Sequence, residues 1–434
     1  MKNYYLMICY NMANAILNSN SSSALISAVD AVSSAKNPFE YSYASKGMLT
    51  YSHVPAHARV VSTSQATSIG FGQNNDFSIL KSGLLENAFL KIVVKNESGA
   101  NAFLNASIGN LLCQDIQLIT QGKVICHSTP YGRACLMSDA PYARKKNMEK
   151  MLGLQAVRHT VADDASLTFY VPLGFSAFDS PSSFLDTNFV EPLTVRVRTA
   201  SANAYADDGA NPAVAQALTL SSMELVQVFR MLPNQLEQQT ISANYQDDDL
   251  VRVEWDMVEE RTTKTLAAAV SQKIEHTITT NRCVAKMFIA VEDTVDGTAT
   301  DLNSQAEGRY LELSNIKISC NGQDMLDVPA DIIGYCLGSD AGVSNSPNCV
   351  SNYFDDSYAH SKNIYCVDFG LLKATDHFSG MISARELNAF RVEVTTSSGS
   401  AVTATAHNLL VMMIAPQLTS TSSASGKIST SLSS

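Results

Sequence analysis

From residue 59 onward, β-branched and aromatic runs alternate with Gly, Asn, Asp and Ser breakers, the punctuation of strands and turns. Residues 88–94 (AFLKIVV), 193–199 (LTVRVRT), 286–291 (KMFIAV) and 390–395 (FRVEVT) are the clearest runs. In two of them, Val195-Arg196-Val197-Arg198 and Arg391-Val392-Glu393-Val394, apolar and charged residues alternate with period two. That pattern predicts strands with one buried and one wet face. Helical spacing is confined to two short regions, 133–152 and 328–337. The first 58 residues read differently. A polar stretch at 18–23 precedes Leu25, Ala28, Val29 and Val32, which fall at helical spacing within 24–36. This predicts a short amphipathic helix in an N-terminal arm, with Leu25, Val29 and Val32 as candidate assembly contacts.

The pattern also repeats. Residues 115–123 (DIQLITQGK) match 315–323 (NIKISCNGQ), each a strand, a glycine turn and a return, and each followed by one of the helical regions. Residues 169–174 echo 365–370, residues 192–199 parallel 389–396, and residues 223–233 parallel 407–416. The displacement is about 180–200 residues each time, and the order is kept, which is the signature of an internal duplication. One short β match has no weight; an ordered series implies two β units of one architecture, at 59–235 and 236–418. Each is long enough for about eight strands, the size of a jelly-roll sandwich. The fold class expected is all-β: two tandem eight-stranded jelly-roll sandwiches with a few short helices in loops. The Ser/Thr-rich end, 419–434, is expected to be a surface tail.

Composition narrows the functional classes. The chain has 434 residues, of which 45% are hydrophobic and 16% charged, against roughly 25% charged in an average soluble protein. Such a surface suits a subunit whose flanks meet neighbours. The formal net charge is −11, and the densest basic cluster is Arg144-Lys145-Lys146, so direct binding of nucleic acid is not expected. The nine cysteines lack C-x-x-C spacing and mostly sit among apolar residues, which predicts buried thiols rather than zinc ligands or a disulfide framework. No run of 18 apolar residues exists, so no membrane-spanning helix is expected. The apolar start is short and interrupted by Tyr4, Tyr5 and Tyr10, which argues against a signal peptide.

Candidate chemistry is sparse. His53 and His57 flank Val54-Pro55, and the proline breaks the helix that would bring two rings together. Asp247-Asp248-Asp249 offers three carboxylates as a calcium site would but reads more simply as a solvated turn. Glu254, Asp256, Glu259 and Glu260 offer carboxylates for a glycosidase-like pair. Their alternation with Val251, Val253, Trp255 and Met257 assigns them more simply to the wet face of a strand. Asn20, Asn96 and Asn105 begin N-x-S/T sequons. No nucleophile elbow, phosphate-binding loop or H-E-x-x-H motif is present. No catalytic residue, cofactor or metal site is assigned.

Several motifs resemble the double jelly-roll major capsid proteins of large DNA viruses of algae and protists and of related tailless viruses. These are Ser68–Gly72 followed by Gly83–Val94, Leu112–Leu118 with Gly122, the run Phe169-Tyr170-Val171-Pro172-Leu173, and Ile316–Asp324. The resemblance spans residues 66–415 and does not reach the arm before residue 59. It implies a homotrimer of pseudo-hexagonal outline that packs against neighbouring capsomers in an icosahedral virion, assembled in the host cytoplasm. Minor capsid or penton proteins and an internal membrane are further candidate partners. Two other classes stay open: a carbohydrate-binding or adhesin-like tandem sandwich, which the single Trp255 disfavours, and a β-sandwich glycoside hydrolase.

Overall fold

The computed structural model describes residues 59–430, except 105–106, 140–146, 155–158, 176–184, 200–217, 231–249, 268–269, 294–309, 334–348, 351–362, 370–380, 399–405, 423–424 and the single positions 67, 149, 331 and 388. The arm helix with Leu25, Val29 and Val32 lies outside the described residues, as do His53, His57, Arg144-Lys145-Lys146 and Asp247-Asp248-Asp249.

In the first half the strands are β1 (Arg59–Gln65), β2 (Asn74–Ser78), β3 (Leu84–Asn96), β4 (Ala102–Leu104), β5 (Cys113–Thr120), β6 (Lys123–Ser128), β7 (His159–Val161), β8 (Ser166–Pro172), β9 (Leu185–Asp186), β10 (Leu193–Thr199) and β11 (Leu218–Arg230). Two helices, α1 (Ile108–Leu111) and α2 (Pro130–Asp139), flank the β5–β6 hairpin. The second half holds β12 (Leu250–Thr265), β13 (Lys273–Thr277), β14 (Cys283–Val284), β15 (Lys286–Asp293), β16 (Leu313–Cys320), β17 (Gln323–Pro329), β18 (Cys349–Val350), β19 (Ile364–Asp368), β20 (Ile382–Ser383), β21 (Arg391–Thr396), β22 (Ala406–Thr421) and β23 (Ile428–Thr430).

Each half is a sandwich of two antiparallel sheets with the same strand order. The first pairs β1-β11-β3-β8 in one sheet and β2-β10-β5-β6 in the other; the second pairs β12-β22-β15-β19 and β13-β21-β16-β17. This is the jelly-roll arrangement, twice. The sequence repeats fall on topologically equivalent strands: β5–β6 on β16–β17, β8 on β19, β10 on β21 and β11 on β22. The two hairpins agree even in detail. Gln121 and Gly122 (φ 47° and 79°) turn the first, and Asn321 and Gly322 (φ 52° and 75°) turn the second. Two successive positive φ angles make the tight turn whose twist matches a hairpin. Each hairpin also carries a register shift near its turn, at Leu118/Ile119 and at Ile318/Ser319.

The period-two strands behave as their pattern requires. In β10, Leu193, Val195, Val197 and Thr199 are buried, while Arg196 reaches outward to Asp76 on β2 with paired contacts of 2.8 and 2.9 Å. Residues Phe77, Leu90, Ile92, Phe169, Val195 and Leu225 meet between the sheets of the first sandwich; Ile274, Ile289, Ile316, Val392 and Val411 do so in the second. Asn96 is buried, and its amide donates to the carbonyls of Ala100 (2.7 Å) and Val161 (3.0 Å). This sequon is therefore closed to modification in the folded chain.

The C-terminal segment departs from expectation. It is not a surface tail: β22 continues to Thr421, and β23 turns back to pair with it through Thr419, Ser420 and Thr421. Thr419, Thr421 and Ile428 are buried. The turn reaches the first half, where the Glu191 amide donates to the Gly426 carbonyl at 3.0 Å. Serine and threonine suit a β ladder as readily as a solvated tail, and composition alone does not separate the two.

Candidate functional site

Where the two sandwiches meet, the runs 287–291 of β15 and 409–416 of β22 are apolar without interruption, unlike the alternating strands. The reason is burial on both faces. Met287, Ile289, Val291, Leu409, Val411 and Met413 point into their own sandwich. The residues between them, Phe288, Ala290, Leu410, Met412 and Ile414, join the core that extends into the first half. An antiparallel sheet normally leaves one face to water; one covered on both sides reads as a continuous apolar run.

The first half covers that face with β6 and α2. Thr129 begins the helix: its hydroxyl accepts the Gly132 amide at 3.1 Å, and Pro130 follows at the position where a missing N–H costs nothing. The same hydroxyl donates to Glu259 Oε2 on β12 at 2.7 Å. Gly132 faces Met257 and Met412 so closely that a Cβ would stand 2.5 Å from Met257 Sδ and 3.1 Å from Met412 Cε. Tyr131 packs on Tyr310 across the junction, with ring centroids 5.7 Å apart. Gln417 on β22 donates to the Ile125 carbonyl on β6 at 3.4 Å.

Behind α2, Arg133 is 1% exposed. Its guanidinium donates to the carbonyls of Asn110 (2.7 Å) and Cys113 (2.6 Å) and to Asn110 Oδ1 (3.2 Å). It ties α1, β5 and α2 into one block that presents β6 to the second half. Burial pushes the neighbouring Cys113 thiol up to about 11, with Arg133 opposing, so this cysteine stays protonated. Cys113, Cys126, Cys135, Cys283 and Cys366 are all buried thiols.

One charged group is sealed into the junction. Asp256 on β12 is 5% exposed. Arg282 donates to its Oδ2 at 2.6 Å. Its Oδ1 makes no hydrogen bond and lies 3.5 Å from His127 Nδ1 on β6, an ion-pair distance when the ring is protonated. Burial opposes the Asp256 charge, but His127 and Arg282 outweigh it and hold the carboxyl below its ordinary range. Asp256 in turn raises His127 against the opposing effect of burial. Glu260 turns elsewhere: it accepts from the amides of Thr279 (3.0 Å) and Thr280 (2.8 Å) and sits 2.7 Å from His276 Nε2. These partners hold it below the usual carboxylate range despite its burial.

This corrects the expectation of a wet face on β12. Asp256, Glu259 and Glu260 are largely enclosed because β6 and the 278–282 loop roof this edge strand. They also serve different partners: Asp256 lies between His127 of the first half and Arg282 of its own, Glu259 between Thr129 of the first half and Arg261 of its own, and Glu260 turns to His276, Thr279 and Thr280, so they do not form a converging acid pair. Among the described residues no group of three His, Cys, Asp or Glu is placed to hold a metal ion, and no helix is long and apolar enough to cross a membrane.

Magnitudes rank the contributions. A fully buried side chain of Leu, Ile, Met or Phe size stabilises by about 1.5–3 kcal/mol. An exposed ion pair such as Arg196–Asp76 contributes about 0–1 kcal/mol. The apolar layer therefore holds the halves together, and the polar contacts of Asp256, Glu259 and Gln417 fix how they are placed. One apolar cluster thus runs from the first sandwich into the second.

No protein-family model matches the chain, and no curated protein matches it. Solved structures do. PBCV-1 VP54, fitted into a reconstruction of the virophage Sputnik, aligns over 88% of this chain and 98% of its own, with a TM-score of 0.64 and 16% identity. The Faustovirus major capsid protein aligns over 96% of this chain and 98% of its own, with a TM-score of 0.63 and 9% identity. The mavirus major capsid protein aligns over 91% and 95%, with a TM-score of 0.53 and 11% identity. The shared feature is the fold: this chain has the tandem jelly-roll architecture of those capsid proteins.

Proposed function

We propose that the chain is a major capsid protein: a structural subunit that forms trimers of pseudo-hexagonal outline and tiles an icosahedral virus shell. The observation that carries the reading is the duplicated sandwich with identical strand order in both halves, joined by a mainly apolar seam, in a chain that aligns with the Faustovirus protein over nearly its whole length. Two like units per chain place six like units around a three-fold axis. Three chains then fill a hexagonal tile. Shell-forming contacts can each be weak, because closure of the lattice multiplies them.

In this reading residues 59–235 are the first roll, the second starts near 236 and takes in β22 and β23 as far as Thr430 rather than ending at 418, and the role is structural rather than catalytic. The subunit resides in the virion after assembly in the host cytoplasm. Its first partner is itself, then neighbouring capsomers, and then minor capsid or penton proteins. The arm with Leu25, Val29 and Val32 reaches a neighbour or an internal membrane, and the acidic chain leaves the genome to other proteins.

Light scattering on the purified chain tests the reading: a particle of about 140 kDa, three times 46.8 kDa, is expected. A monomer at every concentration overturns it. Deletion of residues 1–40 is expected to leave a folded trimer and impair shell formation. Loss of folding in that deletion would place the arm in the core instead.

A further inference from the structure

The second sandwich holds a charged pair where the first holds an apolar one. Lys286 on β15 and Asp368 on β19 are direct cross-strand partners. Lys286 Nζ lies 3.7 Å from Asp368 Oδ2, and the two side chains are 10% and 5% exposed. In the first sandwich the equivalent partners on β3 and β8 are Phe89 and Pro172. The shared register fixes the equivalence. Ile92 pairs with Phe169 as Ile289 pairs with Tyr365, and each pair in question lies three residues further along both strands.

The charged pair also sits on the apolar side of its sheet. Alternation along β15 puts Lys286 on the face of Phe288, and alternation along β19 puts Asp368 on the face of Cys366. Ile414 stands beside Lys286 on β22. Phe288, Cys366 and Ile414 belong to the core that runs into the first half. The backbone leaves the pair little freedom. Strand β22 holds β15 on its other side, and next to the pair the Phe369 amide donates to the Ala285 carbonyl at 3.0 Å.

Taking two charges out of water is costly, and their mutual attraction offsets that cost poorly. Proton transfer within such a pair gives a neutral amine, which is a nucleophile. Here the amine is held against a carboxyl group in an enclosed site, where little water competes. We infer that Lys286 and Asp368 condense into a side-chain amide that ties β15 to β19. The Nζ–Cγ bond forms and one Cγ–Oδ bond of Asp368 breaks. Two protons pass from the ammonium to the departing oxygen, which leaves as water. No oxidant or other reactant is consumed, and both buried charges disappear. The bond closes a covalent loop from 286 to 368 that contains β16, β17 and β18, and such a loop restricts the unfolded chain. It needs one chain only, so its absence leaves the shell-subunit reading intact.

Intact-mass spectrometry of the full-length chain, folded, incubated and then denatured, is the test. The wild type is expected about 18 Da, one water, below its sequence mass. Its tryptic digest is expected to contain a branched peptide joining the segments around 286 and 368. Lys286→Arg keeps the positive charge but cannot condense, and Asp368→Ala lacks the carboxyl; each is expected at its full sequence mass. Folded wild type that keeps its full mass after prolonged incubation overturns the proposal. So does a loss of water that persists in Lys286→Arg, or a branch at other residues. The mass and the branched peptide of the wild type decide the matter even when a variant fails to fold.

Discussion

Gly132 lies directly against Met257: a side-chain carbon on the glycine would stand 2.5 Å from the methionine sulfur. The first residue belongs to the helix that follows the β5–β6 hairpin and the second to the opening strand of the other sandwich. Their contact sets how closely the two rolls approach. Met257 Sδ and Met412 Cε are parts of flexible side chains and can yield, so Gly132→Ala is expected to change stability by less than about 1 kcal/mol. Gly132→Leu overfills the seam and is expected to cost about 1–3 kcal/mol. Gly109 is the contrasting case. Its Cβ would meet the Leu152 carbonyl oxygen at 2.0 Å, and backbone cannot move aside, so Gly109→Ala is expected to destabilise more than Gly132→Ala. Denaturant melts of the three variants check the ranking.

Asp256→Asn leaves Arg282 beside a neutral amide in an enclosed site. Removing one member of a largely buried pair costs more than the pair contributes, and a loss of about 2–4 kcal/mol is expected. Asp256→Asn with Arg282→Met removes both charges and is expected to recover part of that loss. A double-mutant cycle by chemical denaturation measures the coupling.

His127 makes the seam sensitive to pH. Its folded pKa is raised above the ordinary 6.5, chiefly by Asp256. A raised folded pKa means that its contribution is complete below 6.5 and disappears as the pH climbs through the folded value. His127→Gln is therefore expected to destabilise the protein at pH values below 6.5 and to match the wild type well above the raised value. Asp256, whose pKa is lowered, contributes above its ordinary 3.8, and its part is lost only as the pH falls through the folded value. Thermal unfolding of wild type and His127→Gln across this range separates the two.

The C-terminal hairpin is expected to hold the end of β22 against the first half. Gly426 has φ 67°, and a Cβ there would lie 2.1 Å from the Phe189 carbonyl oxygen. Gly426→Ala is expected to release residues 422–430 at a cost of about 1–3 kcal/mol. Limited proteolysis with mass spectrometry would reveal the new cleavage site; an unchanged digest would mean the contact with Phe189 does not anchor this end.

The fold was legible in the sequence where local pattern and long-range structure agree. Val195-Arg196-Val197-Arg198 and its counterpart at 391–394 show the faces of their strands directly, and the glycine turns at Gly122 and Gly322 align the duplication. The seam was less legible. The apolar runs of β15 and β22 mark strands, but no local pattern says that a second face is covered or by what. Asp256 reads as a wet-face residue because its partner His127 is remote in the chain and no local pattern links them. Gly132, whose lack of a side chain admits Met257, is unremarkable among the glycines. Arg133 resembles a surface arginine until α1 and β5 surround it with carbonyls. Composition misdirected only at the end, where serine and threonine stood in for a tail and form a ladder.

The shell-subunit reading is tested most directly by electron microscopy of the purified full-length oligomer. It predicts three-fold particles of about 140 kDa, three copies of 46.8 kDa, with six like lobes around the axis. Monomers at every concentration, or particles in which the two rolls of each chain do not alternate around a common axis, would contradict it.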